Sequence, residues 1–135
     1  MDAHYNIGNL LNELGKFHEA VKSYEKAIQI HPGHEGAHNN LGNIYKELGK
    51  FKDAIKCYEK AIKINPNLFA AHNNLGIVFQ ILGKNQKAIT CFQKTIQINS
   101  NFTPAHYNLG KVFKQLGEYP KAIKSFQNAN TVRSR

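Results

Sequence analysis

The sequence repeats itself with a period of 34 residues. The string Ala-His-Asn-Asn-Leu-Gly begins at residue 37 and again at residue 71, and close variants of it begin at residues 3 and 105. A Leu-Gly pair begins eleven residues after the start of each string. In an array with such a period, each repeat buries its apolar face against its neighbours. We therefore predict one domain over residues 1–135, built from repeats 1–34, 35–68, 69–102 and 103–135.

Each repeat is predicted to contain two helices separated by the glycine of the Leu-Gly pair. Apolar residues recur at helical spacing on both sides of that glycine, and glycine suits the left-handed position that ends many helices. Pro32 and Pro66 follow the second helices of their repeats and prevent them from continuing. The apolar stripe of the first helix comprises Ala3, Ile7, Leu10, Leu11 and Leu14. A further glycine inside each first helix indicates that another helix approaches closely there: Gly8, Gly42, Gly76 and Gly110.

Composition limits the class of protein. Hydrophobic residues make up 41% of the chain, which is enough to bury a core and excludes a wholly disordered chain. The apolar runs are too short for a membrane-spanning helix, and the first residues lack the pattern of a signal peptide. Two cysteines, Cys57 and Cys91, do not make a disulfide framework, so we expect a cytoplasmic, reducing compartment. Because whole repeats fill the sequence, we also expect it to be a segment of a longer protein.

Two histidine patterns raise the question of a metal site. His34-Glu35-Gly36-Ala37-His38 has the H-E-x-x-H spacing of zinc proteases, which requires both histidines on one face of a helix. We expect His34 in the turn between two repeats, without a structural role, so no zinc site is predicted. A histidine also recurs at the fourth position of each repeat, where the separation of stacked helices exceeds the reach of a shared ion. No cofactor is expected, and since the sequence lacks a phosphate-binding loop or an activated nucleophile, the chain is not expected to be an enzyme.

The recurring residues resemble those of the tetratricopeptide repeat family over the whole chain. The matching positions are Leu or Ile at the seventh, Gly at the eighth, Ala at the twentieth, Tyr or Phe at the twenty-fourth and Pro at the thirty-second position. Thr95 and Asn85 depart from the pattern, since they replace an alanine and an aromatic residue. The resemblance implies an all-α fold, a right-handed α-solenoid of four stacked helix-turn-helix repeats. In the family, first helices line a concave groove and second helices form most of the convex back.

Asparagine recurs at the sixth position of all four repeats, although it is a mediocre helix former. An amide both donates and accepts hydrogen bonds, so a row of amides can hold the main chain of an extended peptide whatever its sequence. This pattern resembles the asparagine ladder in the repeats of O-linked N-acetylglucosamine transferase. The alternative is that the amides are solvated or bond to a neighbouring helix. The residues predicted to line a peptide-binding groove are Tyr5, Asn6, Asn9, Asn39, Asn40, Asn43, Lys46, Asn73, Asn74, Ile77, Tyr107, Asn108, Lys111 and Lys114.

The predicted partner is a protein, bound through an extended segment. The net charge of +9 is distributed unevenly, from −1 in the first repeat to +5 in the fourth. Most of this charge is expected on a solvated face, but Lys46, Lys111 and Lys114 fall on the groove side and favour a partner with acidic character. Neither nucleic acid nor a membrane is expected as a partner. The alternative function is a structural or self-associating repeat segment of a larger protein, with end-to-end association and a catalytic domain elsewhere.

Overall fold

The structure, a computed structural model, describes residues 2–133. Those residues form eight helices, two in each repeat, and no strand. The helices are α1 (Ala3–Glu13), α2 (Phe17–Ile30), α3 (Glu35–Glu47), α4 (Phe51–Ile64), α5 (Phe69–Ile81), α6 (Asn85–Ile98), α7 (Thr103–Gln115) and α8 (Tyr119–Arg133). The predicted all-α class is therefore confirmed. Residues 1, 134 and 135, which the predicted repeats include, lie outside the described residues.

The chain divides into two compact units, an N-terminal unit of Met1–Ala71 and a C-terminal unit of His72–Arg135. In the N-terminal unit, α1 packs on α2, α2 on α3, and α3 on α4. In the C-terminal unit, α6 packs on α7 and α7 on α8. Helices that follow one another in the sequence are thus neighbours within each unit, while the single domain stays a prediction. None of the described helices is both long and apolar enough to cross a membrane.

The first helices of all four repeats end in the same way. Gly15 has a φ of +75°, the left-handed conformation that the sequence predicts after α1. The N–H of Gly15 donates to the carbonyl of Asn12 at 3.0 Å, and the N–H of Lys16 donates to the carbonyl of Leu11 at 2.9 Å. These two bonds form a Schellman motif, which satisfies carbonyls that the helix end leaves unpaired. The equivalent glycines also have positive φ angles, between +74° and +77°: Gly49, Gly83 and Gly117.

The two helices of each pair approach closely at the glycine inside the first helix. A Cβ atom on Gly42 would lie 2.7 Å from Cε1 of Tyr58, which is too short for a real contact. The ring at the twenty-fourth position of the repeat therefore occupies the space that a side chain would need. The other three repeats show the same contact: Gly8 with Tyr24, Gly76 with Phe92, and Gly110 with Phe126. The predicted close approach is confirmed.

The core of the N-terminal unit lies between the second helix of the first repeat and the first helix of the next. Both helices contribute small residues, which let the backbones approach, and larger ones, which fill the space between them. The buried residues of this cluster are Ala20, Tyr24 and Ala27 from α2, and Ala37, Leu41 and Ile44 from α3.

Most of the apolar stripe of α1 is exposed. Ile7, Leu10 and Leu14 are 48%, 56% and 61% exposed. Leu41 and Ile44, which occupy the positions of Ile7 and Leu10 in the next repeat, are buried in the cluster with α2. In α3 these positions therefore face the second helix of the preceding repeat, α2.

The departure from the repeat pattern at Thr95 is accommodated inside α6 of the C-terminal unit. Thr95 is completely buried, and its hydroxyl donates a hydrogen bond to the main-chain carbonyl of Cys91 at 2.8 Å. The polar group that takes the place of an alanine methyl is thus satisfied within its own helix, one turn earlier. The other large side chains of this unit that are completely buried are Val78, Phe92 and Val112.

Replacing Gly42 by alanine should destabilise the protein. The new methyl group would collide with the Tyr58 ring, so we expect a loss of about 1–3 kcal/mol of unfolding free energy, despite the better helix propensity of alanine. Gly33→Ala is the matched control, because a Cβ there would lie 3.7 Å from His31 Nε2, an ordinary contact. It should change stability by less than about 0.5 kcal/mol. Urea unfolding followed by circular dichroism measures both, and a Gly42→Ala variant as stable as the wild type would contradict the described helix contact.

Candidate functional site

Three of the predicted groove residues meet in a hydrogen-bonded network between α1, α2 and α3. Asn40 on α3 donates from Nδ2 to Oδ1 of Asn9 at 3.0 Å and to the hydroxyl of Tyr5 at 3.2 Å, both on α1. The hydroxyl of Tyr24 on α2 donates to the same Asn9 Oδ1 at 2.5 Å. One asparagine oxygen therefore joins three helices of the N-terminal unit, and the amide of Asn40 bonds to a neighbouring helix, as the alternative interpretation predicts.

A second pair of the same kind lies in the next repeat. The hydroxyl of Tyr58 on α4 donates to Oδ1 of Asn43 on α3 at 2.5 Å. The geometry has a simple cause, since the Tyr58 ring lies against Gly42, the residue immediately before Asn43. A hydroxyl at the end of that ring therefore reaches the amide of the following residue.

Burial keeps both hydroxyl groups protonated. Both tyrosine side chains are completely buried. Burial raises the pKa of Tyr24 to about 12, and it raises the pKa of Tyr58 as well. A phenol in this state donates its proton, so the oxygen of the partner amide accepts it. The amide groups of Asn9 and Asn43 are thereby held with their oxygens toward the tyrosines.

The C-terminal unit has neither of these pairs. Its residues at the twenty-fourth position are Phe92 and Phe126, and those at the ninth position are Ile77 and Lys111. Instead, the Lys111 ammonium lies 4.9 Å from the centroid of the Tyr107 ring, a distance suited to a cation–π interaction. Tyr107 is 51% exposed and Lys111 is also exposed, so this unit presents an aromatic surface with a positive charge above it.

The remaining predicted groove residues differ widely in exposure. Asn39, Asn73 and Asn108 are buried, with at most 9% of their surface accessible. Oδ1 of Asn73 has no hydrogen-bond partner among the described residues. Asn6 and Lys114 are exposed, while Lys46, Asn74 and Ile77 are half-buried. A groove built from both units together stays a prediction.

Two of the recurring histidines, His38 and His106, bond to the turn that precedes their helix. His38 Nε2 lies 3.0 Å from the main-chain carbonyl of Pro32, and His106 Nε2 lies 2.8 Å from that of Ser100. In each case the ring N–H donates to a carbonyl six residues earlier, just after the end of a second helix. We did not predict this role from the sequence. The signal for it is the constant spacing, since each of these histidines lies six residues after the thirty-second position of the preceding repeat. Among the described residues, no three His, Cys, Asp or Glu side chains are grouped to hold a metal ion.

The expectation that His34 has no structural role is wrong. His34 is the N-cap residue of α3, and its Nδ1 accepts a hydrogen bond from the N–H of Ala37 at 3.1 Å. Its Nε2 lies 3.5 Å from Oδ2 of Asp2, and its ring stacks 4.3 Å from that of Tyr5, measured between centroids. Since His34 precedes the helix and uses its ring nitrogen as a cap, it does not share a helix face with His38 as a zinc motif requires.

Two clefts lie on the N-terminal unit away from the amide network. One, of about 700 Å³, is lined by residues at the beginning of α1 and α3, among them Asp2 and His34. The other, of about 600 Å³, lies between α2 and α4 and includes Tyr45 and Cys57. Burial raises the pKa of the Cys57 thiol to about 12, so this thiol stays protonated and is a poor nucleophile.

Replacing His34 by alanine should remove the cap of α3 and lower the free energy of unfolding by about 0.5–2 kcal/mol, the range for loss of a capping side chain. His34→Asn is the matched variant, because asparagine is among the best N-cap residues and should retain most of the stability. Thermal unfolding of the wild type and both variants measures the difference. Equal stability of the alanine and asparagine variants would argue against a capping role.

The architecture is that of a repeat protein made of helix pairs, and sequence profiles identify the class. Profiles described as "TPR repeat" match residues 8–49 and 42–83, and profiles described as "Tetratricopeptide repeat" match residues 69–102 and 103–134. The chain belongs to the tetratricopeptide repeat family. Such repeats are protein interaction modules and are typically not catalytic, so this chain is an interaction module for protein partners.

Solved structures of MamA have the same fold. The structure "Crystal structure of MamA" is 25% identical, with a TM-score of 0.92 over 97% of this chain and 77% of that chain. "Crystal structure of MamA protein" is 27% identical, with a TM-score of 0.87 over 97% of this chain and 72% of that one. MamA from Desulfovibrio magneticus RS-1 is 21% identical, with a TM-score of 0.88 over 97% and 74%, and shows likeness of fold alone. No curated protein sequence matches the chain significantly.

Proposed function

We propose that the chain binds an extended segment of a partner protein along the face formed by its first helices. The observation that carries the proposal is the group of polar side chains on α1 and α3, where Asn40 donates hydrogen bonds to both Asn9 and Tyr5. These side chains are only half-buried, so a ligand can reach them. Amides that donate and accept can pair with the main chain of an extended peptide.

The partner segment is expected to carry some negative charge. Lys111 and Lys114 are exposed on α7, and the fourth repeat has a net charge of +5. Positive charge near a binding face speeds encounter with acidic ligands and discriminates against basic ones. A reducing compartment, such as the cytoplasm, fits the chemistry of the chain, because Cys57 and Cys91 are both free thiols.

The test begins with an array of random 12-residue peptides, probed with the purified chain. Asn40→Ala combined with Asn74→Ala should weaken the best binder by about 1–3 kcal/mol in total, at roughly 0.5–1.5 kcal/mol per hydrogen bond. Asn128→Ala is the matched control, because Asn128 is an exposed asparagine on a second helix, α8. Isothermal calorimetry measures the affinities, and circular dichroism verifies that the helices remain. Unchanged affinity in the folded double variant would refute binding through these amides.

A second candidate function is association with another helical repeat through α1. It is favoured by the exposure of Ile7, Leu10 and Leu14. In the next repeat, a second helix covers Leu41 and Ile44, which are equivalent to Ile7 and Leu10. Leu10→Lys should then abolish concentration-dependent association in sedimentation experiments, since it places a charge in the contact. Lys22→Glu, a change at an exposed position of α2, serves as the charge control. A wild-type chain that stays monomeric at high concentration would exclude this candidate.

A further inference from the structure

We propose that the hydroxyl groups of Tyr24 and Tyr58 determine which way Asn9 and Asn43 present their amides, so that the N-terminal unit recognises main-chain carbonyl oxygens of its partner. The inference rests on the proposed function, because it assigns the recognition chemistry of the same face. The two tyrosines are positioning residues, since they act through the asparagines and do not touch the ligand.

The side-chain oxygen of Asn9 already accepts two hydrogen bonds within the protein. Its Oδ1 accepts one bond from the Tyr24 hydroxyl and another from Nδ2 of Asn40, which uses both lone pairs of the oxygen. Its Nδ2 group, with two N–H donors, remains to meet a ligand. The side chain is half-buried, so this group can be reached from solvent. Asn9 therefore acts as a donor and selects an acceptor, such as a carbonyl oxygen.

Asn40 is oriented in the opposite sense. Its Nδ2 donates to both Asn9 and Tyr5, which uses its two N–H groups and leaves Oδ1 as an acceptor. A donor from Asn9 and an acceptor from Asn40 thus lie side by side. Adjacent C=O and N–H groups of an extended peptide have the complementary arrangement. Because the network fixes both amides, neither can rotate to suit a ligand with the reverse pattern.

The same logic applies to Asn43, whose Oδ1 accepts the Tyr58 hydroxyl proton at 2.5 Å. Across the repeats of this one chain, the hydroxyl and the amide occur together. Tyrosine at the twenty-fourth position accompanies asparagine at the ninth in the first two repeats, whereas phenylalanine accompanies Ile77 and Lys111 in the other two. The orienting pairs are consequently confined to the N-terminal unit.

A purely structural role for the tyrosine hydroxyls is the competing explanation. Removing a hydroxyl that only stabilises the helix pair would lower the free energy of unfolding. It would not change which main-chain groups of a peptide contribute to binding affinity. A hydroxyl that orients the amide would, when removed, change both the affinity and the main-chain groups of the ligand that contribute to binding. Ligand analogues that differ by one main-chain group therefore distinguish the two roles.

The experiment uses the full chain and the best-binding 12-residue peptide from the random array. Tyr58→Phe and Tyr24→Phe should each weaken this peptide by about three- to tenfold, the equivalent of one hydrogen bond. Tyr45→Phe is the matched control, because Tyr45 is a half-buried tyrosine of α3 that lines the separate cleft between α2 and α4, and it should leave affinity unchanged.

The decisive measurement replaces single main-chain groups of that peptide. Exchanging one C=O for C=S, a weaker hydrogen-bond acceptor in a still neutral and planar group, at successive positions should weaken binding to the wild type by about threefold or more at the positions that face the amides. In Tyr24→Phe combined with Tyr58→Phe, the same exchange should cost less than about twofold at the peptide position that faces Asn43, because Asn43 loses its bond from the tyrosine, whereas Asn9 keeps the bond from Asn40. An unchanged preference for the carbonyls in this folded double variant would overturn the inference.

A gain-of-function variant keeps the test independent of the stability of the first two repeats. Phe92→Tyr together with Ile77→Asn places a tyrosine–asparagine pair in the third repeat and should strengthen peptide binding by about three- to tenfold. Ile77→Asn alone lacks the orienting hydroxyl and should gain less than about twofold. Equal affinities of the single and double variants would contradict the orienting role.

The failure of this inference is distinguishable from the failure of the proposed function. A wild-type chain that binds no peptide on the array overturns the proposed function and the inference with it. A peptide that loses affinity in Asn40→Ala with Asn74→Ala, but binds the tyrosine variants as it binds the wild type, supports the proposed function and overturns the inference alone.

Discussion

The contact between an aromatic ring and a glycine governs the structure of every repeat. In all four repeats the ring at the twenty-fourth position lies so close to the glycine at the eighth that a Cβ atom there would be 2.6–2.7 Å from a ring carbon. The missing side chain sets how closely the two helices approach, and the ring fills the space between them. Tyr24, Tyr58 and Phe92 are completely buried by this arrangement. The packing of the two helices in turn determines which side chains of the repeat lie in the core.

The same contact links the core to the candidate site. Because the ring crosses the first helix at the eighth position, its far end reaches the side chain at the ninth. A hydroxyl there, as in Tyr58, holds the amide of Asn43, whereas phenylalanine at the same position offers no hydrogen bond. The hydroxyl of the core tyrosine thus holds the amide of the asparagine that follows the glycine, in both Asn9 and Asn43. The Tyr58 side chain therefore both fills the core and holds an amide of the candidate site.

The sequence predicted the fold more completely than it predicted the site. The 34-residue period, the Leu-Gly turns and the internal glycines follow from local chemistry and correspond to the helices, Schellman motifs and close contacts of the structure. The exposure of Leu10 was missed because spacing identifies an apolar face but not the neighbour that covers it. The capping role of His34 was missed because histidine is not a usual N-cap residue. The direction of the Asn40 amide depends on Asn9 and Tyr5, which the repeat pattern leaves unspecified.

The two compact units are both built from helix pairs, but they carry different residues at the ninth position of the repeat. In the N-terminal unit the polar groups at the ninth position are amides held by buried hydroxyls, and amides read a main chain with little regard to its sequence. In the C-terminal unit that position carries Ile77 or Lys111, and the Lys111 ammonium lies over the exposed Tyr107 ring. The proposed function therefore assigns recognition of an extended main chain to the first unit and recognition of charge to the second. Because Tyr24 and Tyr58 bond to an amide at the ninth position and phenylalanine cannot, the proposed function makes the choice between tyrosine and phenylalanine in the core the feature that separates these two modes of recognition.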